Sequence, residues 1–186
     1  MNILDLNNFR LPDNFRLRSI YYVQLWRFCD FLLFKSSPQF MYGWRRFLLR
    51  FFGAKIGKKV LIRSSVQIIY PWKLSIGDYS WIGESVILYC LGPISIGSNT
   101  VISQQSHLCA GSHDYLSPTF DQIAIGISIN SEVWIAADVF IVDGVSVGRG
   151  AVVGARSSVF KSLPELSFSF GNPASIKWFR ENSFND

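Results

Sequence analysis

The stretch INSEVWIAADVFIVDGVSVGRGAVVGARSS, residues 129–158, divides into five sixes, each opening on an aliphatic residue: INSEVW, IAADVF, IVDGVS, VGRGAV and VGARSS. The fifth place in every one is Val, Ala or Ser. The same pattern runs earlier as IGKKVL and IRSSVQ (56–67), IGDYSW and IGESVI (76–87), and IGSNTV and ISQQSH (96–107). A period of six belongs neither to an amphipathic helix nor to an alternating strand. It suits a short flat strand followed by a tight corner, with glycine expected to permit the corner's backbone and a small fifth residue fitting where two walls meet.

Three sixes close one triangular coil. Ile56, Ile76 and Ile96 lie twenty apart and Ile129 and Val147 eighteen apart, which is three sixes with or without a two-residue bulge. About five coils fit, with parallel strands stacked about 4.8 Å apart. No coil can bury its own inner face, so stability must come from stacking and from capped ends. A sandwich of ordinary strands would not generate this register, and hairpin signals between the sixes are few. The expectation is a mainly β chain whose residues 56–165 form a parallel β-helix. Residues 166–186 form a cap or tail in which SIKWFRENSF reads as a short helix or partly ordered tail that caps or braces the last coil.

Composition sets the outer limits. A chain of 186 residues, 49% hydrophobic, supports one core with an extension. Cys29, Cys90 and Cys109 have no ligand spacing and are odd in number, which argues against a disulfide framework and for a reducing compartment. With two histidines and no HExxH motif, no dedicated metal site is expected. Charge is divided unevenly: residues 1–63 hold twelve Lys and Arg against three Asp, a net +9, whereas the remainder holds six against ten acids, a net −4.

That basic head, residues 1–55, does not read as a signal peptide. Its segment IYYVQLWRFCDFLLF (20–34) is short for a membrane span and contains Arg27 and Asp30. The segment FMYGWRRFLLRFFG (40–53) mixes aromatics with Arg45, Arg46 and Arg50, and Gly53 would close it as a helix. Two readings stay open: helices lying in a lipid headgroup layer, or helices whose aromatic faces pack on the body or on a neighbouring subunit while the arginines are solvated. Nucleic acid is not an expected partner, because the basic residues accompany bulky apolar ones and no recognised motif is present.

The rhythm of sixes breaks over residues 109–128, where GSHDY places His113 among the turn-forming residues Asp114, Ser117, Pro118 and Asp121. Loops on a regular scaffold commonly carry function.

The sixes, the loop GSHDY, the run VWIAADVFIVDGVSVGRGAVVGARSSV and the closing FGNPA together resemble the hexapeptide-repeat acyltransferases, in particular the acetyltransferases of colanic acid and related exopolysaccharide synthesis. The resemblance covers nearly the whole chain, including YGWRRFLLRFFGAKIG. It implies a left-handed β-helix, a hand that the general rule for parallel crossovers would not predict. It also implies a homotrimer with acetyl-CoA in the groove between two solenoids, and an interrupting loop that reaches a neighbour and encloses the acceptor.

By that resemblance His113 is the catalytic base, since an alcohol needs its proton removed to attack a thioester and imidazole can carry that proton near neutral pH. Asp114 either orients the imidazole or is a turn residue, and Tyr115 is an acceptor-site candidate. Trp134 corresponds to the tryptophan of the family's VWIG motif, near acetyl-CoA or acceptor, or else packs between subunits. Ala136 and Ala155 fall where the pantetheine arm passes; Lys161 either meets a CoA phosphate or is solvated; Asn172 and Pro173 match the turn beside the nucleotide end. Cys90 stands where relatives carry an asparagine expected to contact the acceptor, which puts the acceptor's identity in doubt. The implied acceptor is a sugar, nucleotide sugar or lipid-linked glycan, and the implied place is the cytoplasm or the inner face of its membrane. A non-catalytic β-helix scaffold would need neither His113 nor acetyl-CoA. A γ-type carbonic anhydrase would need three histidine ligands, and only His107 and His113 exist.

Overall fold

The computed structural model describes residues 3–13 and 15–180. Its body is a parallel β-solenoid with three walls. Wall A stacks Lys55–Ile56, Leu74–Ile76, Ile94–Ile96, Ile127–Ile129 and Ser146–Val147. Wall B stacks Leu61–Ile62, Trp81–Ile82, Val101–Ile102, Trp134–Ile135, Val152–Val153 and Ser167–Gly171. Wall C stacks Gln67–Ile68, Ile87–Tyr89, His107–Cys109, Phe140–Val142 and Ser158–Val159. Walls A and C thus have five rungs and wall B six, close to six turns against the five expected.

The register is the one the sixes predict. Ile56, Ile76, Ile96, Ile129 and Val147 pair in sequence up wall A, all turned into the core. The fifth-place residues are buried at the corners, including the hydroxyls of Ser80, Thr100 and Ser106. Those hydroxyls are satisfied along the axis: Ser80 Oγ donates to the Gly97 carbonyl at 2.6 Å and Thr100 Oγ1 to the Asn130 carbonyl at 2.8 Å.

The corner geometry differs from the expectation for glycine. Positive φ falls at the fourth place of the six, on Lys59, Tyr79, Ser85, Asn99, Gln105, Glu132, Asp138 and Arg156 as well as on Gly144 and Gly150. The left-handed turn aims that residue's N–H along the solenoid axis, so Tyr79 donates to Lys58 O, Asn99 to Asp78 O and Asp138 to Gln104 O at 2.9–3.0 Å. Hydrogen bonding between coils therefore continues around the corner, which offsets a cost of about 1 kcal/mol per non-glycine residue. The second-place glycines serve close approach instead. A Cβ on Gly77 would lie 2.6 Å from the Ser98 amide nitrogen of the next coil.

In the walls, amides donate to carbonyls of the following coil, as Gly57 N–H does to Ile76 O and Leu61 N–H to Ser80 O. Wall carbonyls of the first coil, among them Ile56 O, Ile62 O and Ile68 O, are therefore left for another partner, and the N-terminal helices supply it. Helix α1 (Ile20–Cys29), capped by Ser19 and continued by a π-helical segment (Asp30–Lys35), and helix α2 (Tyr42–Phe51) pack over the first coil. Trp26 Nε1–H donates to Ile68 O, Arg45 Nε–H to Ile62 O, Arg46 to Val60 O and Arg50 to Ile56 O and Gly57 O, all at 2.7–2.9 Å. Arg45 is fully buried and also donates to Ser37 Oγ, Pro38 O and Gln39 O. The three arginines of α2 thus lie neither in a headgroup layer nor in solvent, as the two readings had them; they are turned to the solenoid's open edge.

At the other end the expected C-terminal helix is not formed among the described residues. Ala174–Phe179 is a strand, antiparallel to Ser167–Gly171, with Trp178 stacked on Phe168 at 4.2 Å. Pairing there covers the last edge of wall B, a stronger demand on an unpaired strand than helix propensity. Residues 181–186, the rest of that expectation, lie outside the described residues.

Candidate active site

Every irregular insertion sits at the corner between walls C and A. The largest, residues 110–126, carries His113. Ser112–His113 pairs antiparallel with Gln122–Ile123 to make the loop's stem. Polar residues tie its tip: Asp114 Oδ1 accepts from Leu116 N–H at 2.9 Å, while Ser117 Oγ and Thr119 Oγ1 donate to the Asp121 carboxylate at 2.8 and 2.7 Å. Those two bonds hold Asp121 below the usual carboxylate range. At the exit, Asp143 accepts from the N–H groups of Ile125 and Gly126 at 2.8 and 2.6 Å, fixing where the loop rejoins the solenoid.

His113 Nδ1 lies 2.8 Å from the carbonyl oxygen of Phe120, and the two rings stack with centroids 4.1 Å apart. A carbonyl only accepts, so Nδ1 carries the proton, and in the neutral imidazole the lone pair is on Nε2. The imidazole therefore rests on a backbone carbonyl, held by Phe120's own left-handed conformation (φ 54°) and its N–H bond to Ser117 O. The carboxylate of Asp114, for which an orienting and a turn role both stand open, accepts from Leu116 N–H. Tyr115 stands 77% exposed at the tip.

A residue that sequence reading missed joins this site. Asp5 N–H donates to Pro118 O at 2.7 Å, and the Phe9 ring lies 6.1 Å from the imidazole. The strap connecting these to α1 is held by Trp72 Nε1–H on Arg16 O at 2.7 Å and Lys73 Nζ on Phe15 O at 2.6 Å. Nothing in the spacing of residues 5–9 announces this; the only signal is an aromatic in a polar segment. Phe120 is likewise invisible in its main role, because a carbonyl has no letter.

Cys90 is corrected. Its side chain is fully buried in the core, the thiol 3.2 Å from Leu88 O and pushed up to about 12 by desolvation. It cannot touch an acceptor, and the asparagine-for-cysteine comparison says nothing about a contact here. His107 lies half-buried on the outside of wall C, between Tyr89 and Phe140 with centroids at 6.1 and 5.2 Å, and burial lowers its pKa. Among the described residues no cluster of three His, Cys, Asp or Glu could hold a metal ion.

The acyl-donor candidates gather elsewhere, at the corner between walls B and C. Trp134 is exposed, its Nε1–H donating to Ser103 Oγ at 3.1 Å. Ala136 follows it and is buried, its N–H on Val153 O at 2.9 Å. Ala155 is exposed one coil on, and the turn Asn172–Pro173 joins that corner through Gly171 N–H on Ser157 Oγ at 3.1 Å. Ala136 and Ala155 thus set small residues on successive coils of this corner, a strip running along the axis. Lys161 is exposed but belongs to the corner between walls C and A, on the side of His113. One chain does not bring His113 together with Trp134, Ala136, Ala155, Asn172 and Pro173; they occupy different corners of the triangle.

No family model matches the chain. It is 55% identical over 172 residues, 92% of this chain and 94% of the other, to the Escherichia coli K12 protein WcaF, assigned as a colanic acid biosynthesis acetyltransferase. It is 25% identical over 135 residues, 71% of this chain and 66% of the other, to the galactoside O-acetyltransferase of the same organism. In fold it matches a hexapeptide-repeat acetyltransferase of Vibrio cholerae, crystallised with acetyl coenzyme A, at a TM-score of 0.78 and 23% identity, covering 87% of this chain and 88% of that one. With more than half its residues shared across nearly all of both chains, the protein belongs to the colanic acid biosynthesis acetyltransferases, hexapeptide-repeat enzymes built on a parallel β-solenoid.

Proposed function

We propose that the protein transfers the acetyl group of acetyl-CoA to a sugar hydroxyl in the synthesis of a bacterial surface polysaccharide, with His113 as general base. The observation that carries the reading is the Nδ1 bond to Phe120 O, which leaves Nε2 basic and its direction fixed. As the acceptor oxygen bonds to the thioester carbonyl carbon, its proton passes to Nε2. When the carbon–sulfur bond breaks, that proton goes to the departing thiolate, and the imidazole returns to its starting tautomer. Identity to the E. coli polysaccharide acetyltransferase supports the substrate class, and the galactoside enzyme supports oxygen as the accepting atom.

The separation of base and donor strip onto different corners favours a homotrimer in which the loop of one subunit meets the strip of the next. Trp134, Ala136 and Ala155 then border the pantetheine arm, with Asn172, Pro173 and Lys161 towards its nucleotide end. Phe9 and Tyr115 flank the acceptor. The test is release of free CoA thiol from acetyl-CoA with a panel of nucleotide sugars and lipid-linked glycan extract. Acceptor-dependent release should fall about 10²- to 10⁴-fold in His113→Ala. No release, together with no acetyl-CoA binding by calorimetry, would instead leave a scaffold.

A further inference from the structure

Helix α1 and its π-helical continuation bury Val23, Trp26 and Phe34 against the first coil. The opposite stripe should be polar if water covered it. It reads Tyr21, Leu25, Phe28 and Leu32, all exposed, with Tyr21 at 84% and neighbouring Phe31 at 74%. On α2, Phe47 and Phe51 are exposed too, in a run of rings with Trp44 at centroid spacings of 5.8 and 6.4 Å. A helix apolar on both faces needs cover on both, and the fold covers one.

Charge selects the cover. Residues 16–63 contain eleven Lys and Arg and a single acid, Asp30. That acid is paired with Lys35 at 3.0 Å, and desolvation favours its neutral form. Arg45, Arg46 and Arg50 are committed to the first coil's carbonyls, but Arg18 and Arg27 remain exposed beside the apolar stripe. An aromatic face rimmed by exposed cations, Arg27 and Arg18, the latter over the Tyr22 ring at 5.3 Å, with its one carboxylate masked, complements anionic headgroups over an acyl layer. No helix among the described residues is long and apolar enough to cross a membrane, so the contact lies in the interface plane.

We infer that the outer face of the α1–α2 cap beds into the surface of an anionic bilayer and holds the acceptor loop over it. The strap from Ser19 back to Asp5 ties that cap to Pro118 in the His113 loop. The loop leaves the third coil, two rungs or roughly 10 Å beyond the first. A hydroxyl on a glycan carried by a membrane lipid would come within its reach, whereas a nucleotide sugar would gain nothing from the placement. This choice of acceptor rests on the acetyl-transfer reading; the lipid contact does not.

The experiment is flotation of the full-length protein with phosphatidylcholine vesicles, with and without phosphatidylglycerol. Wild type should float with the anionic vesicles. Phe28→Gln/Phe31→Gln should lose about tenfold or more in binding, and Arg18→Gln/Arg27→Gln should lose binding to anionic vesicles with a reduced salt dependence. Both variants should keep thiol release with a soluble acceptor and lose any preference for lipid-linked glycan. His113→Ala should still float, which separates failure of the chemistry from failure of the contact. Wild type that stays in the aqueous fraction, or a phenylalanine variant that floats as wild type does, overturns the inference. So does lipid-free self-association that the same variant abolishes, which would make this face a protein interface.

Discussion

His113 Nδ1 and the carbonyl oxygen of Phe120 are 2.8 Å apart, and the carboxylate of the adjacent Asp114 is turned to Leu116 N–H instead. The imidazole is thus oriented by main chain. Asp114→Asn keeps an acceptor for Leu116 and should hold kcat/KM within about threefold of wild type, while His113→Ala loses about 10²- to 10⁴-fold. Steady-state kinetics on both variants checks this. A loss in Asp114→Asn comparable to that in His113→Ala would make the carboxylate the orienting group.

Because His113 and the strip of Trp134 and Ala155 stand at different corners, two individually inactive variants should complement. His113→Ala and Ala155→Trp, unfolded and refolded together, should recover about a quarter of wild-type activity if each site in a trimer takes one part from each of two neighbours. Separately refolded and then mixed, they should recover nothing. Activity absent under both protocols would place base and donor in one chain.

Arg45 is a fully buried cation with carbonyls and one hydroxyl as its acceptors. Arg45→Met removes the donors and leaves the Ile62 carbonyl and its neighbours unpaired under the cap, an expected loss of about 3 kcal/mol. In a chain of this size that is a fall of about 6–12 °C in Tm. Deleting residues 1–53 should expose the whole first edge and yield aggregate, not a shorter soluble solenoid. Thermal unfolding and size-exclusion chromatography test the pair.

The two glycine questions give opposite signs. Gly77→Ala drives a Cβ to 2.6 Å from Ser98 N and should cost about 2 kcal/mol or more, since the obstacle is backbone. Arg156→Gly relieves a left-handed φ of 58° and should stabilise by up to about 1 kcal/mol. Denaturant titration resolves both; stabilisation by Gly77→Ala would refute the packing account of the second place.

How far the sequence could be read follows from what a six-residue pattern encodes. The inward Ile56–Ile76–Ile96 ladder, the small corner residues and the interruption at His113 are side-chain facts repeated down the chain, so they show in the letters. The fourth-place turn is not encoded by residue type, since Lys59, Tyr79 and Arg156 all adopt it because coil-to-coil pairing requires it. Arg45 and its neighbours read as headgroup-facing or solvated charges because their partners are carbonyls, which no sequence displays. The C-terminal strand was hidden for a related reason: its partner, the open edge at Ser167–Gly171, exists only after folding. Cys90 misled because alignment with a family position says nothing of which way a corner residue turns.

His107 gives the pH dependence a sign. Desolvation lowers its pKa, so the unfolded chain binds a proton that the folded chain does not. Stability should therefore be unaffected by this residue well above the unfolded pKa near 6.5, and fall as pH drops through that value towards the lower folded one. Asp30, whose pKa is raised by burial, works in the opposite sense, because its folded form takes up a proton before the unfolded one does. The clean measure is the difference between wild type and His107→Leu in Tm from pH 7.5 to 5. The variant's curve should be flatter, with the gap opening below about pH 6.5. A constant gap across that range would mean that the imidazole titrates alike in both states, and that the space between Tyr89 and Phe140 is wetter than its burial implies.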